Sequence, residues 1–294
     1  MNCKYELTFT ARAPITHAAF SDGSDTGNAS MFRREPIVSL TGYPRVPVVS
    51  GNAIRGILRR IIMRELFGYI TLDDFAERFG VRATLDDAPI QLNDTAKRAW
   101  DRLYAALCIG GTIEQAENGI SPDMVRQLRA EFPALSVLGS ALYTQLIPGM
   151  VHIGFAWPIC TETIDAGICR SVENMPVVSA EDLLTEVGLV RHIDRENADP
   201  ENSGVKPMPY TIEALATGTR LQSEITFDRQ ATDIEIAVIM HGVKQLQTIG
   251  GKAAAGFGTV DTEICPVADD MLYLDWLSNT DIKDLLLRLA EKVV

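Results

Sequence analysis

The order of strand-like and helix-like patterns along the chain constrains its fold most. Residues 5–14 alternate apolar and polar side chains, which predicts a strand, and residues 50–68 carry apolar side chains at helical spacing. Strand-like stretches follow from residue 137, and a second helical pattern at 232–250 precedes the strand-like "FGTVDTEICPV". Strand, helix, strands, helix, strand is the ferredoxin-like order. The sequence therefore predicts an α+β fold in which an antiparallel sheet carries both helices on one face.

Four further segments are attached to this predicted unit, which comprises residues 1–70 and 137–265. Residues 71–136 have helical patterns and form a predicted insertion. Residues 16–32, here called the long loop, are rich in Gly, Ser, Asp and Asn. A polar arm at about 165–210, with its Pro, Asn and Gly residues gathered near its end, and a helical segment at 266–294 complete the chain.

Composition excludes several classes of protein. The 294-residue chain is 46% hydrophobic, and its five cysteines and four histidines are scattered, which argues against a disulfide framework and against a zinc site. The start lacks a signal-peptide pattern, and no apolar stretch is long enough to span a bilayer. We therefore expect a cytoplasmic protein with no metal, no cofactor and no membrane partner.

Charge is unevenly distributed. The net charge of −12 opposes nucleic-acid binding, which depends on Lys and Arg. Between Met31 and Arg64, however, seven arginines stand against the single acid Glu35, a local balance of +6. This basic cluster consists of Arg33, Arg34, Arg45, Arg55, Arg59, Arg60 and Arg64. It is either a basic binding face on an acidic body or the ordinary coat of a helix.

The glycine-rich stretch "IGGKAAAGFGTV" (249–260) resembles a phosphate loop at first sight. It lacks the first glycine and the hydroxyl residue of a Walker loop, since Leu246 and Ala253 occupy those places. It also follows a helix and precedes a strand, the reverse of the dinucleotide-binding order. Two interpretations stay open. The loop is either a plain helix-to-strand connector, or a place where backbone and Lys252 approach the phosphates of another chain.

Three separated stretches together resemble the CRISPR-associated RAMP superfamily. "RREPIVSLTGYPRVPVVSGNAIRGILRR" (33–60) resembles its extended segment leading into the first helix. "VLGSALYTQLIPGMVHIGFAWPI" (137–159) resembles its "LFG-S" strand region. "EALATGTRLQSEITF" (213–227), followed by the glycine-rich stretch, resembles its last strands and terminal loop.

The resemblance is greatest to the repeated backbone subunit of class 1 effector complexes, of type IV or type I-like kind and related to type III subunits. It implies a ferredoxin-like palm at 1–70 and 137–265, helical fingers at 71–136 and a protruding thumb at about 165–210. It also implies that copies of the chain oligomerise along a guide RNA (crRNA) and support its pairing with a complementary target, beside other effector subunits. A ferredoxin-like protein that serves only assembly is the alternative from another class.

The resemblance and the residue chemistry select the same candidate site. Backbone N–H groups at the start of the first helix can bind a phosphate, and Arg55 and Arg59, one turn apart, can reach the same strand. The glycine-rich stretch would form the opposite wall of that groove. The predicted RNA-binding residues are Arg33, Arg34, Arg45, Ser50, Gly51, Asn52, Arg55, Arg59, Gly250, Gly251 and Lys252.

Catalysis by this family depends on the loop before the first helix. In type III relatives, an aspartate there helps to cleave target RNA, and the matching position here is Asn28 or Ala29. Neither an amide nor a methyl group can act as a base, so the sequence predicts a non-cleaving scaffold. Asp22 and Asp25 in the long loop keep the cleaving alternative open. A guide-processing ribonuclease would instead use His17 as its acid or base.

Overall fold

The structure is a computed structural model, and it describes residues 4–19, 29–40, 42–80, 92–111, 121–142, 145–172, 176–191, 208–228 and 230–292. The strands are β1 (Lys4–Ala11), β2 (Ala29–Ser30), β3 (Arg34–Pro36), β4 (Arg45–Pro47), β5 (Ser140–Leu142), β6 (Gln145–Ile147), β7 (Val151–Ile153), β8 (Trp157–Pro158), β9 (Leu184–Arg191), β10 (Met208–Leu215), β11 (Arg220–Phe227) and β12 (Val260–Cys265). The helices are α1 (Gly51–Phe67), α2 (Leu72–Phe79), α3 (Asp94–Tyr104), α4 (Pro122–Glu131), α5 (Pro133–Leu138), α6 (Thr161–Asp165), α7 (Asp233–Lys244), α8 (Met271–Asn279) and α9 (Ile282–Lys292).

The main sheet has the strand order β12-β1-β11-β7, and β8 pairs with β11 beside β7. Every neighbouring pair in it is antiparallel. Two strands that are far apart in sequence, β1 and β12, are neighbours, and β1 is central although it begins the described chain. The described residues form helices together with an antiparallel sheet, which confirms the predicted α+β class.

One face of this sheet is buried and the other is polar. In β1, Leu7, Phe9 and Ala11 are buried, while the alternate positions are partly exposed, as a strand with one covered face requires. In β11 the pattern repeats, with Leu221 and Ile225 buried. Burial of each large apolar side chain contributes roughly 1.5–3 kcal/mol, so the alternation fixes which face the helices cover.

Helices α1 and α7 belong to the same hydrophobic core as this covered face. Ile54, Leu58 and Ile62 of α1 are fully buried in it. The two helices pack closely at Gly242 of α7, where an added Cβ would lie 2.8 Å from Cδ1 of Ile62. The helical apolar pattern predicted for residues 50–68 and the pattern predicted for 232–250 are therefore the two helices that cover the sheet.

Helices α2 to α5 lie in and just beyond the stretch 71–136, which was predicted to be a helical insertion, and they pack with the C-terminal helices. Trp100 of α3 contacts the rings of Phe67 at the end of α1 and Phe75 in α2. Arg78 of α2 donates to Glu291 of α9 at 2.6 Å. The C-terminal segment thus packs against these helices, and its first helix, α8, was not predicted as a separate element.

A smaller sheet, with the order β2-β10-β9, stands beside the main one. Its strands β9 and β10 pair antiparallel from Leu184 to Arg191, within the segment predicted as a polar arm. The prediction missed β9 because polar residues outnumber apolar ones around it. The end of that arm, residues 192–207, lies outside the described residues.

Candidate nucleic-acid interface

The first helix begins at a serine cap, within the stretch 50–68 that was predicted to be helical. Ser50 has extended backbone angles, and its Oγ accepts a hydrogen bond from the N–H of Ala53. The N–H groups of Gly51 and Asn52, which precede Ala53, have no acceptor within the helix, and such groups can bind an anion. Asn52 is exposed in this turn.

His17 supports the cap from the other side. Its Nε2 accepts the backbone N–H of Ser50 at 3.2 Å, so that nitrogen carries no proton. Burial, and then the nearby Arg33, lower the pKa of His17, which favours the same uncharged ring. In this structure the ring positions the start of α1, and its catalytic use stays a prediction.

Gly51 has a structural reason to be glycine. An added Cβ would lie 1.9 Å from the carbonyl oxygen of Ile153, at the end of β7. Backbone hydrogen bonds in both directions between Val49 and Ala156 tie the same two segments together. The start of α1 is therefore held against the end of β7, and its backbone is fixed rather than free to move toward a ligand.

The glycine-rich loop is held against the segment that follows β1. The N–H of Gly251 donates to Thr16 O at 2.7 Å, and Thr16 Oγ1 donates to Gly251 O at 2.9 Å. Gly250 has φ 81°, and an added Cβ there would lie 2.3 Å from Thr16 O. These glycines permit a close approach of two backbones, but the second backbone is the protein's own.

The two predicted walls of the groove therefore meet around two consecutive residues. Thr16 contacts the glycine-rich loop, and His17 contacts the cap of α1. Residues 50 and 251 are far apart in sequence, and only the fold brings both of them to this short segment. We call the surface formed by Thr16, His17, residues 50–52 at the start of α1 and residues 250–252 of the glycine-rich loop the α1 end of the sheet.

Lys252 stands on this surface in an unusual conformation. It is exposed and adopts φ 57°, the one left-handed non-glycine residue in the described part of the chain. Its Nζ lies 5.4 Å from the ring centroid of Tyr210 in β10. Backbone conformations of this kind cost on the order of 1 kcal/mol and occur often at functional sites.

The arginines predicted from β3 and β4 have different surroundings. Arg34 donates two hydrogen bonds to the carboxylate of Glu213, at 2.9 and 2.6 Å, and both side chains are mostly buried. Arg33 is half-buried, pairs with Glu35 and lies 5.6 Å from the ring centroid of Phe155. Arg45 is exposed. Of these three, Arg45 is the most accessible to a phosphate.

The two arginines predicted on α1 face into the protein. Arg59 is 9% exposed and donates to the carbonyl oxygens of Leu107, Leu138 and Gly139, at 3.2, 2.7 and 2.7 Å. Arg55 donates to Leu138 O at 2.6 Å. Burial, and then Arg55, lower the pKa of Arg59 to about 10, so it still carries a positive charge at neutral pH. These cations hold the end of α5 to α1 in this conformation.

The two acidic candidates of the long loop, Asp22 and Asp25, lie outside the described residues. Within the described ranges, no group of three or more His, Cys, Asp or Glu side chains could hold a metal ion. Likewise, none of the helices in the described part of the chain has both the length and the apolar character to span a membrane.

Sequence reasoning missed three residues of this region. Glu213 fixes Arg34 and also accepts the backbone N–H of Phe32 at 2.7 Å. Tyr210 lies under Lys252, and Phe155 lies beside Arg33. Glu213 is the first residue of one of the family-like stretches, and this was its one signal in the sequence. Its pairing with Arg34, 179 positions away, has no local sequence pattern.

No family model and no curated protein matches the sequence. Among solved structures, a chain of a type IV-B CRISPR complex aligns with 95% of this chain and 100% of its own length, at a TM-score of 0.57 and 19% identity. The chain has the fold of this CRISPR complex protein. Csc2 of Thermofilum pendens aligns with 99% of this chain and 76% of its own length, at a TM-score of 0.40 and 14% identity. The predicted resemblance to proteins of CRISPR complexes is confirmed at the level of the fold by the type IV-B chain.

Proposed function

We propose that the chain is a guide-RNA-binding backbone subunit of a class 1 CRISPR effector complex. The observation that carries the proposal is the meeting of the α1 cap and the glycine-rich loop around Thr16 and His17. The fold shared with a chain of a type IV-B CRISPR complex supports it. Copies of the chain line up along one crRNA, beside other effector subunits, and present the guide to a complementary target.

In this proposal the α1 end of the sheet binds the sugar–phosphate backbone. The first-turn N–H groups and Asn52 face one phosphate, while Arg45 and Lys252 neutralise phosphates nearby. Arg33 adds a half-buried charge at the same surface. Arg34, Arg55 and Arg59 shape the surface from inside, and we assign them no direct phosphate contact.

The predicted division of the chain fits this role. The strand order β12-β1-β11-β7, with α1 and α7 in the connections, supports the proposed ferredoxin-like palm at 1–70 and 137–265. Helices α2 to α5 are the fingers at 71–136. The paired strands β9 and β10 are the stem of the thumb at about 165–210.

Co-expression with a guide RNA tests the proposal. The purified protein should carry the RNA and elute as an oligomer whose size follows guide length. A double charge reversal, Arg45→Glu with Lys252→Glu, should abolish RNA retention and leave the circular dichroism spectrum unchanged. The matched control is Arg126→Glu with Arg288→Glu, two arginines on the helical part of the molecule. A wild-type monomer free of nucleic acid would refute the proposal.

The subunit is proposed to bind without cutting. Labelled complementary RNA incubated with the assembled complex and Mg²⁺ should stay intact. Regularly spaced cuts that disappear in Asp25→Ala or Asp22→Ala would assign target cleavage to the long loop instead. Cuts in the unprocessed guide that disappear in His17→Ala would assign guide processing.

A further inference from the structure

The polar face of the main sheet contains a cavity that the proposed phosphate surface does not use. Its volume is about 480 Å³, and it lies over β1, β11 and the β7–β8 connection. The side chains that matter for its chemistry are Lys4, Glu6, Phe155, Trp157, Arg170 and Gln222. A ligand here would contact the opposite face of the sheet from α1 and α7.

Two aromatic rings form one wall of this cavity. Phe155 is 37% exposed, and its ring meets that of Trp157 edge to face, with centroids 5.6 Å apart. A single exposed phenylalanine on a protein surface is ordinary. An exposed ring braced by a second ring inside a cavity is different, because it offers a rigid surface on which a flat heteroaromatic group can stack.

The charges around the cavity balance. Lys4 forms an ion pair with Glu224, and Nη1 of Arg170 lies 3.9 Å from Oε2 of Glu6. Two cations therefore face two carboxylates. Such a site gives little net attraction to a phosphate or a carboxylate. It suits a neutral ring that carries N–H donors, since the carboxylate oxygens can accept them. Gln222 is oriented by the N–H of Arg170, which its Oε1 accepts at 2.8 Å, and its amide N–H groups can donate to ring acceptors.

The cavity adjoins the α1 end of the sheet through Phe155 itself. The residue next to it, Ala156, is hydrogen bonded in both directions to Val49, which directly precedes the cap Ser50. Arg33 lies over the ring of Phe155, 5.6 Å from its centroid. An RNA strand with a phosphate bound at the start of α1 would therefore lie close to the ring of Phe155.

We propose that this cavity receives one nucleobase of the bound RNA, stacked on Phe155 and hydrogen bonded to Gln222 or a neighbouring carboxylate. The inference rests on the proposed function, because it requires RNA at the α1 end. It adds a base contact to a surface that otherwise binds only the sugar–phosphate backbone. Sequence preference at this position would be weak, since every base has a stacking face.

The test compares a single-stranded RNA with an abasic ribose–phosphate oligomer of the same length, using the full chain. Wild type should bind the RNA about tenfold more tightly than the abasic oligomer, as one stacked base predicts. Phe155→Leu keeps an apolar side chain against Trp157 but should remove most of this preference. Phe155→Tyr should restore it, and Tyr69→Ala, at an exposed aromatic beyond the other end of α1, should leave it unchanged.

The outcomes separate the two proposals. If wild type binds neither oligomer, the proposed function fails and the cavity assignment fails with it. If wild type binds RNA and Phe155→Leu keeps the full preference for bases, the proposed function stands and the cavity assignment is wrong. The cavity assignment is also wrong if RNA quenches the tryptophan fluorescence of wild type and Trp157→Phe equally. Loss of assembly in RNA-free Phe155→Leu, with the base preference intact, would assign the cavity to a protein partner.

Discussion

Six of the seven arginines of the basic cluster fall into two groups that the fold treats in opposite ways, and the seventh, Arg33, is half-buried. Arg34, Arg55 and Arg59, the inner arginines, donate to a carboxylate or to main-chain carbonyl oxygens of distant segments. Arg45, Arg60 and Arg64, the outer arginines, are exposed. A local charge of +6 therefore overstates what a polyanion meets, because the inner arginines hold the protein together.

The difference between inner and outer arginines also bears on how a chain with a net negative charge would bind RNA. The inner arginines fix the end of α5 against α1 and the β3 segment against β10, so the surface beside them is rigid. RNA binding then needs only a few exposed cations, and we assign this role to Arg45 and Lys252. Variants of the inner arginines should therefore have the largest effects on stability, and variants of Arg45 and Lys252 should change RNA binding alone.

Arg59→Met should lower the free energy of unfolding by about 3 kcal/mol or more, because buried carbonyl oxygens lose a charged donor. Urea unfolding followed by circular dichroism measures it. Arg60→Met, at the next residue and exposed, is the control and should change stability by no more than about 0.5 kcal/mol. Equal losses in both variants would erase the distinction between inner and outer arginines.

Arg34→Ala should cost about 2 kcal/mol of unfolding free energy, since Glu213 would lose two charged hydrogen bonds in a mostly buried place. Arg45→Ala on the neighbouring strand is the matched control and should be near neutral. The double variant Arg34→Ala with Glu213→Ala should be less destabilised than the sum of the single variants. Strict additivity would show that the pair contributes no coupling energy.

Arg45→Ala with Lys252→Ala should weaken RNA binding without changing the unfolding midpoint. If each side chain neutralises one phosphate of single-stranded RNA, the slope of log affinity against log salt should fall by about 1.4. Fluorescence anisotropy at several salt concentrations gives this slope. An unchanged slope would place the phosphates elsewhere, whatever the affinity.

The smallest effect is expected at His17, which accepts the backbone N–H of the cap Ser50. Because burial lowers its pKa in the fold, the unfolded chain takes up a proton first as pH falls below about 6.5. The contribution of His17 to stability should therefore be complete above that pH and decrease below it. His17→Gln should remove this part of the pH dependence measured by urea unfolding. A wild-type profile identical to that of His17→Gln would contradict the uncharged, Ser50-bound ring.

Much of the fold was predictable from local patterns. The helical spacing of the apolar residues in α1 was predicted, because spacing depends on neighbours in the chain. The alternation in β1 and β11 and the helix-before-strand order around the glycine-rich loop also held. Among the missed elements are β9, whose surroundings are polar, and α8, which carries apolar residues on its exposed as well as its buried side.

By itself, the sequence determined the order of elements, the family-like motifs and the presence of a basic cluster, since each depends on residues close together in the chain. Only the tertiary structure decided which arginines are used inside. Arg59 meets carbonyl oxygens 48, 79 and 80 positions away, and Arg34 meets a carboxylate 179 positions away. The same holds for Thr16 and His17 between the two motifs and for Phe155 beside Arg33. Whether a cation is free or buried depends on what packs against it, and that partner comes from a remote part of the chain.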